Sequence, residues 1–70
     1  MTITVDSTIN EIWQKVPNFY SLICEALGRH IPETMVKMLG SQTIEVASKR
    51  VGWDRAKLDD FVNVLNEHAK

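Results

Sequence analysis

One cysteine, two prolines and three glycines are all that the chain has of the residues that staple, kink or loosen a fold. A lone thiol closes no intramolecular disulfide and builds no cysteine metal cluster. Such usage fits a reducing compartment, most simply the cytoplasm. No apolar run approaches the ~20 residues of a bilayer-spanning helix, so no membrane partner is expected. Residues 1–6 carry neither a basic region nor an apolar stretch of the secretory kind, and no export signal is expected there. An excess of charge is missing too. Eight Lys and Arg against nine Asp and Glu leave a formal net charge of −1, which gives no electrostatic case for nucleic acid or an anionic membrane.

What is present is 70 residues, 44% of them hydrophobic, enough for one domain spanning 1–70. A domain of this size buries only a little over ~60% of its unfolded surface. Its stability then rests on well-packed helices or on self-association, and a homodimer is compatible with so thin a core.

The helix signals are strong. Thr8 and Glu11 have capping-box spacing, and Ile9, Ile12, Trp13 and Val16 follow on one helical face. Pro17 ends that helix and can open the next, predicted over 17–27 with Phe19, Ile23, Ala26 and Leu27 as its stripe. Gly28 suits a left-handed helix end. A short third helix is predicted over 32–39, with Met35, Val36, Met38 and Leu39 apolar, and Gly40 ends it. Thr43 caps a fourth helix with Ile44, Ala47 and Val51 inward. Gly52 ends it, and Asp54 caps a fifth helix whose core positions are Leu58, Phe61, Val62 and Leu65. Ile3 and Val5 alternate with polar residues and read as extended, but no partner strand exists in the sequence. The predicted fold is all-α, a compact bundle of four to five short helices with a helix–turn–helix-like C-terminal hairpin.

Thr8, Ile9, Val16 and Pro17 find counterparts 35 positions later in Thr43, Ile44, Val51 and Gly52. Two packed hairpins explain this spacing; coincidence among capped amphipathic helices explains it as well.

The segment 43–65 has the small and apolar residues of a DNA-binding helix–turn–helix, Ser48, Gly52, Val51, Leu58 and Phe61. These serve packing. Recognition needs donors and phosphate neutralisers, and Arg55 and Lys57 are outnumbered by Asp54, Asp59, Asp60 and Glu67. Cys24 lies near a helix C-terminus beside Glu25, away from the cationic setting of a reactive thiolate; Arg29 and His30 are the only nearby cations. His30, Glu33 and Cys24 match no common metal spacing, and no metal or cofactor is expected. Trp13, Trp53, Tyr20, Met35 and Met38 suit a binding surface. Core packing accounts equally for Trp13 and Met38, and Trp53 could pin its turn onto the bundle.

The order of these features resembles a family of small helical domains of unknown function. The residues that carry the resemblance are Val5 and Asp6, Thr8 and Ile9, Val16 with Pro17 and Asn18, Leu27 and Gly28, Thr43 with Ile44 and Glu45, then Ala47, Gly52, Leu65 and Asn66. Related families include redox-disulfide proteins associated with hybrid-cluster proteins and the N-terminal domain of di-iron iron–sulfur-cluster repair proteins. Those relatives carry paired cysteines after the Leu-Gly, where this chain has Arg29, His30, Ile31 and Pro32. The resemblance is therefore to the branch with a cysteine-free loop, and it implies no redox role.

The expectation is a non-enzymatic interaction or ligand-binding module with a protein or small-ligand partner. Its binding surface is assigned to Arg29, His30, Glu33, Met35, Met38 and Trp53, mostly in an irregular segment between two flexible hinges, Gly28 and Gly40. The alternatives are a helix–turn–helix DNA-binding protein and a redox or iron–sulfur-related accessory protein using Cys24 between two chains.

Overall fold

Thr8 opens the first helix with both halves of the capping box formed. Its hydroxyl accepts the Glu11 N–H at 3.2 Å, and the Glu11 carboxylate accepts the Thr8 N–H at 3.2 Å. The computed structural model describes residues 3–69. Its elements are α1 (Ile9–Lys15), α2 (Phe19–Leu27), α3 (Glu33–Met38), α4 (Ile44–Arg50) and α5 (Arg55–His68). Among the described residues there is no strand, only an isolated antiparallel bridge between Thr8 and Thr43. No helix is long and apolar enough to cross a membrane. The all-α bundle is as expected.

Helix ends follow the residues that were singled out. Thr43 accepts from the Val46 N–H, and Asp54 from the Lys57 N–H at 2.8 Å. Gly28 and Gly52 both adopt positive φ, 71° and 80°. At each, two N–H groups fold back onto the last turn: Gly28 to Glu25 and Arg29 to Cys24, then Gly52 to Lys49 and Trp53 to Ser48. That is the doubled helix-end bond of a Schellman motif.

Around the Thr8–Thr43 bridge, backbone bonds come in pairs 35 residues apart. Ile9 donates to Gln42 at 3.0 Å and Ile44 to Ser7 at 2.9 Å. Asn10 donates to Gly40 at 3.0 Å and Glu45 to Val5 at 3.2 Å. Ser7 donates to Thr4 and Gln42 to Leu39 within matching turns. An antiparallel pair exchanges its bonds about a local two-fold axis, so α1 and α4 enter the fold as symmetry mates. The inner pair is that of any antiparallel bridge; the outer pair and the matching turns extend the same two-fold relation to the entries of α1 and α4 and agree with two packed hairpins.

One apolar cluster joins Ile3, Ile9, Ile12, Val16, Phe19, Val36, Ile44, Leu58, Phe61, Val62 and Leu65. Both hairpins and the N-terminal segment contribute to it, and α3 adds a single residue, Val36.

Several expectations need correction. α2 begins at Phe19, because Pro17 and Asn18 are spent on a turn in which Phe19 donates to Val16. α3 is shorter than 32–39, with Pro32 still extended at its N-cap. Val51 is 40% exposed: it caps α4, while Ser48 takes the inward place and bonds its hydroxyl to the Glu45 carbonyl at 2.7 Å. Gly40 is no hinge. It is buried, its carbonyl is held by Asn10, and an added Cβ would collide with the Asn10 amide. The extended N-terminal segment does find a partner, a side chain. The Asn66 amide accepts from the Ile3 N–H at 2.8 Å and donates to the Ile3 carbonyl at 3.0 Å, completing the pairing that a neighbouring strand would supply.

Candidate functional site

The segment from Gly28 to α3 leaves α2 through the left-handed turn and is pinned back onto it by Tyr20. The Tyr20 hydroxyl donates to the Ile31 carbonyl and lies 3.2 Å from His30 Nε2. A phenol has one hydrogen. With that hydrogen given to Ile31, His30 donates from Nε2 into the phenol oxygen. Ring stacking completes the hub: Trp13 lies parallel to Tyr20 at 6.4 Å, and His30 meets it edge-on at 5.9 Å. Loss of solvent raises the Tyr20 hydroxyl above its usual pKa, helped by the adjacent Cys24 thiol and the charge of Glu33. Tyr20, Cys24, His30 and Glu33 thus share one corner of the molecule. Yet no group of three or more His, Cys, Asp or Glu is placed to hold a metal ion among the described residues.

Beyond this corner α3 points its methionines at solvent. Met35 is 52% and Met38 82% exposed, with Val36 buried beneath. Core packing therefore does not account for Met38. Lys37 and Glu33 bridge on the outer face at 3.5 Å. Both are well exposed, so this pair adds little stability. Arg29 is exposed.

Trp53 is not part of this outer surface. It packs edge-on against Phe61 at 5.1 Å, under the Lys57 ammonium at 5.5 Å, and so pins its turn to α5. It reaches the segment only from below, across an apolar cavity of about 50 Å³ whose wall includes Ile31, Val36, Leu39, Ile23, Leu27 and Trp53. That volume is far under the ~300 Å³ of an ordinary small-molecule site.

The structure thus brings Arg29, His30, Glu33, Met35 and Met38 onto one outward segment and separates Trp53 from them. Sequence reasoning named Tyr20 as an aromatic and did not find its role as the hub. The available signal was its four-residue spacing from Cys24, which stacks the two on one helical face.

Fold and site define a small all-α bundle of two helical hairpins with one short helix laid between them. Comparison with protein-family models, curated proteins and solved structures finds no match to this chain.

Proposed function

We propose that this chain is a non-enzymatic interaction module that takes a protein or peptide partner on the outer face of 28–38. The observation that carries this reading is Met38, 82% exposed beside Met35 on a helix that gives the core one residue. Methionines adapt to varied apolar contacts, and polar groups at Arg29, His30 and Glu33 stand ready to fix orientation. The small cavity favours a surface partner over an enclosed small ligand. The resemblance to the cysteine-free branch of small helical domains agrees with a non-redox role, and the lone cysteine with a cytoplasmic setting.

Two observations weigh against the alternatives. In the helix–turn–helix hairpin, Arg55 lies 3.3 Å from Glu45 and 3.1 Å from Asp59, so carboxylates surround one of the few cations that could face phosphate. Cys24 is half-buried against Tyr20 with no second thiol in the chain.

The test is capture of cellular proteins on the immobilised chain, compared with Met35→Glu/Met38→Glu. The expected result is a specific partner lost in the double variant at unchanged melting temperature. Amide shifts caused by the purified partner should centre on Arg29, Glu33 and Met38. Shifts centred on α5, or capture indifferent to the two methionines, would overturn the assignment.

A further inference from the structure

α3 is lightly secured. It has six residues, well under the ~12 at which an isolated helix begins to hold in water. Pro32 at its N-cap gives no side-chain bond to the free N–H groups of the first turn. Val36 is its one buried residue. Beneath Val36 lies the apolar cavity of about 50 Å³, walled also by Ile23 and Leu27 of α2 and Ile44 of α4. A void deprives its lining of contact partners, so Val36 is held less firmly than its burial alone indicates. The ends of the segment are secured differently. The Tyr20 hydroxyl holds the Ile31 carbonyl on one side, and the Asn10 N–H holds the Gly40 carbonyl at 3.0 Å on the other. Between these anchors, among the described residues, no hydrogen bond or ion pair ties 32–39 to another helix.

We propose that α3 is a lid strung between the anchors at Ile31 and Gly40, which opens over the cavity as one unit while the other four helices stay folded. Segments with few buried contacts open at a fraction of the free energy of global unfolding, and here the span has one inward side chain above a void. Opening withdraws Val36 and bares Ile23 and Leu27. It also dismantles the outer face. Met35 and Met38 are three residues apart and share a helical face only while α3 is wound. A partner on that face therefore holds the lid shut, and by reciprocity whatever favours opening weakens that partner. This coupling rests on the role proposed for 28–38; the lid itself does not.

Amide hydrogen exchange of the full chain, free of any partner, tests the lid. The Val36 N–H donates to Pro32 and the Leu39 N–H to Val36, so both exchange only when the segment opens. They should share one opening constant, at least about tenfold larger than that of Phe61 and Leu65 in α5. The Ile23 amide should stay with the α5 group. Low urea should speed the α5 amides and leave Val36 and Leu39 nearly unchanged, because a local opening exposes little surface. Ile12→Val, a mild change in the body of the fold, should speed the α5 amides about two- to tenfold and leave the α3 amides as they were. Exchange of Val36 in step with Phe61 under all these conditions would show that α3 opens only with the whole fold, and protection that declines from Val36 to Leu39 would show simple fraying; either overturns the lid. A purified partner should slow exchange at Val36 and Leu39 as it saturates the chain. A partner that binds and leaves those two amides unchanged overturns the coupling and the role of 28–38, while the exchange of the free chain still decides the lid.

Discussion

The α1–α2 hairpin turns through Val16, Pro17 and Asn18; the α4–α5 hairpin turns through Val51, Gly52 and Trp53. Up to those turns the two halves are alike. Each first helix has seven residues, a threonine N-cap and a buried isoleucine directly after it. Each is fixed by the same set of backbone bonds across the Thr8–Thr43 bridge. After the turns they part. Pro17 locks its own φ, whereas Gly52 turns through φ 80°. α2 is short and apolar on nearly all sides, while α5 has 14 residues and keeps an outer face of Asp59, Asp60, Asn63 and Glu67. The shared bridge demands sameness of the first helices. Nothing demands it of the second ones, and each has taken the composition its surroundings impose. α5 turns an outer face to water, whereas α2 lies between the cavity beneath α3 and the groove that it shares with α5.

The largest effect should come from breaking the equivalence at its centre. Ile9 and Ile44 are symmetry mates and both are buried. Truncating either to alanine should cost about 2–5 kcal/mol, enough to unfold much of so small a domain. The milder Ile9→Val and Ile44→Val should each cost about 0.5–1.5 kcal/mol and differ by less than that spread. Urea melts measure both. A cost confined to one of the two would show that the hairpins do not share the core equally.

A middle-sized effect separates the turns. At Gly52 a Cβ would meet nothing within 4 Å, so the cost of Gly52→Val is conformational, about 1–3 kcal/mol for a β-branched residue at positive φ. Gly52→Asn should recover part of it, because asparagine tolerates the left-handed region. Gly40→Ala should behave differently. Gly40 lacks positive φ, and its obstacle is the side chain of exposed Asn10, so Asn10→Ala should relieve it. Melts in which asparagine fails at Gly52, or Asn10→Ala fails to rescue Gly40→Ala, would reassign the two glycines.

Much of this was legible in the residues. Thr8 with Glu11, Thr43, Asp54, Gly28 and Gly52 marked their helix ends because capping chemistry is local and needs no knowledge of the fold. Leu58, Phe61, Val62 and Leu65 were legible through period. Val51 was misplaced because periodicity does not say where a helix stops winding, and its last residue leaves the stripe. The Asn66 clamp on Ile3 was out of reach, since it joins positions 63 apart in the chain. The site was half legible. The outward segment could be named from its irregularity, but which way Met38 pointed depended on Val36 winning the single inward place on α3. Trp53 was assigned to the site from its residue type and turned out to face Phe61.

The smallest effect distinguishes the two threonine caps. Thr43 has valine three residues on and no reciprocal bond; Thr8 has Glu11, whose carboxylate accepts both the Thr8 N–H at 3.2 Å and the Thr8 hydroxyl at 3.0 Å. The backbone bond first, then the hydroxyl, hold the Glu11 carboxyl below its usual 4.5, with Lys15 adding a weaker attraction. The unfolded chain makes neither bond, so as pH falls it takes up this proton before the folded chain does. Glu11 therefore contributes stability that is complete above about pH 4.5 and is lost as pH falls through the lower folded value. Thr8→Ala and Thr43→Ala should each cost about 1 kcal/mol near neutral pH. The Thr43→Ala difference should stay flat down to about pH 3 apart from changes common to the wild type, while the Thr8→Ala and Glu11→Gln differences shrink over that range. Melts at several pH values, with an NMR titration of the Glu11 carboxyl, measure this directly. If the Thr8 and Thr43 variants track each other at every pH, the reciprocal bond is not formed in solution, and the two hairpins begin more alike than their caps indicate.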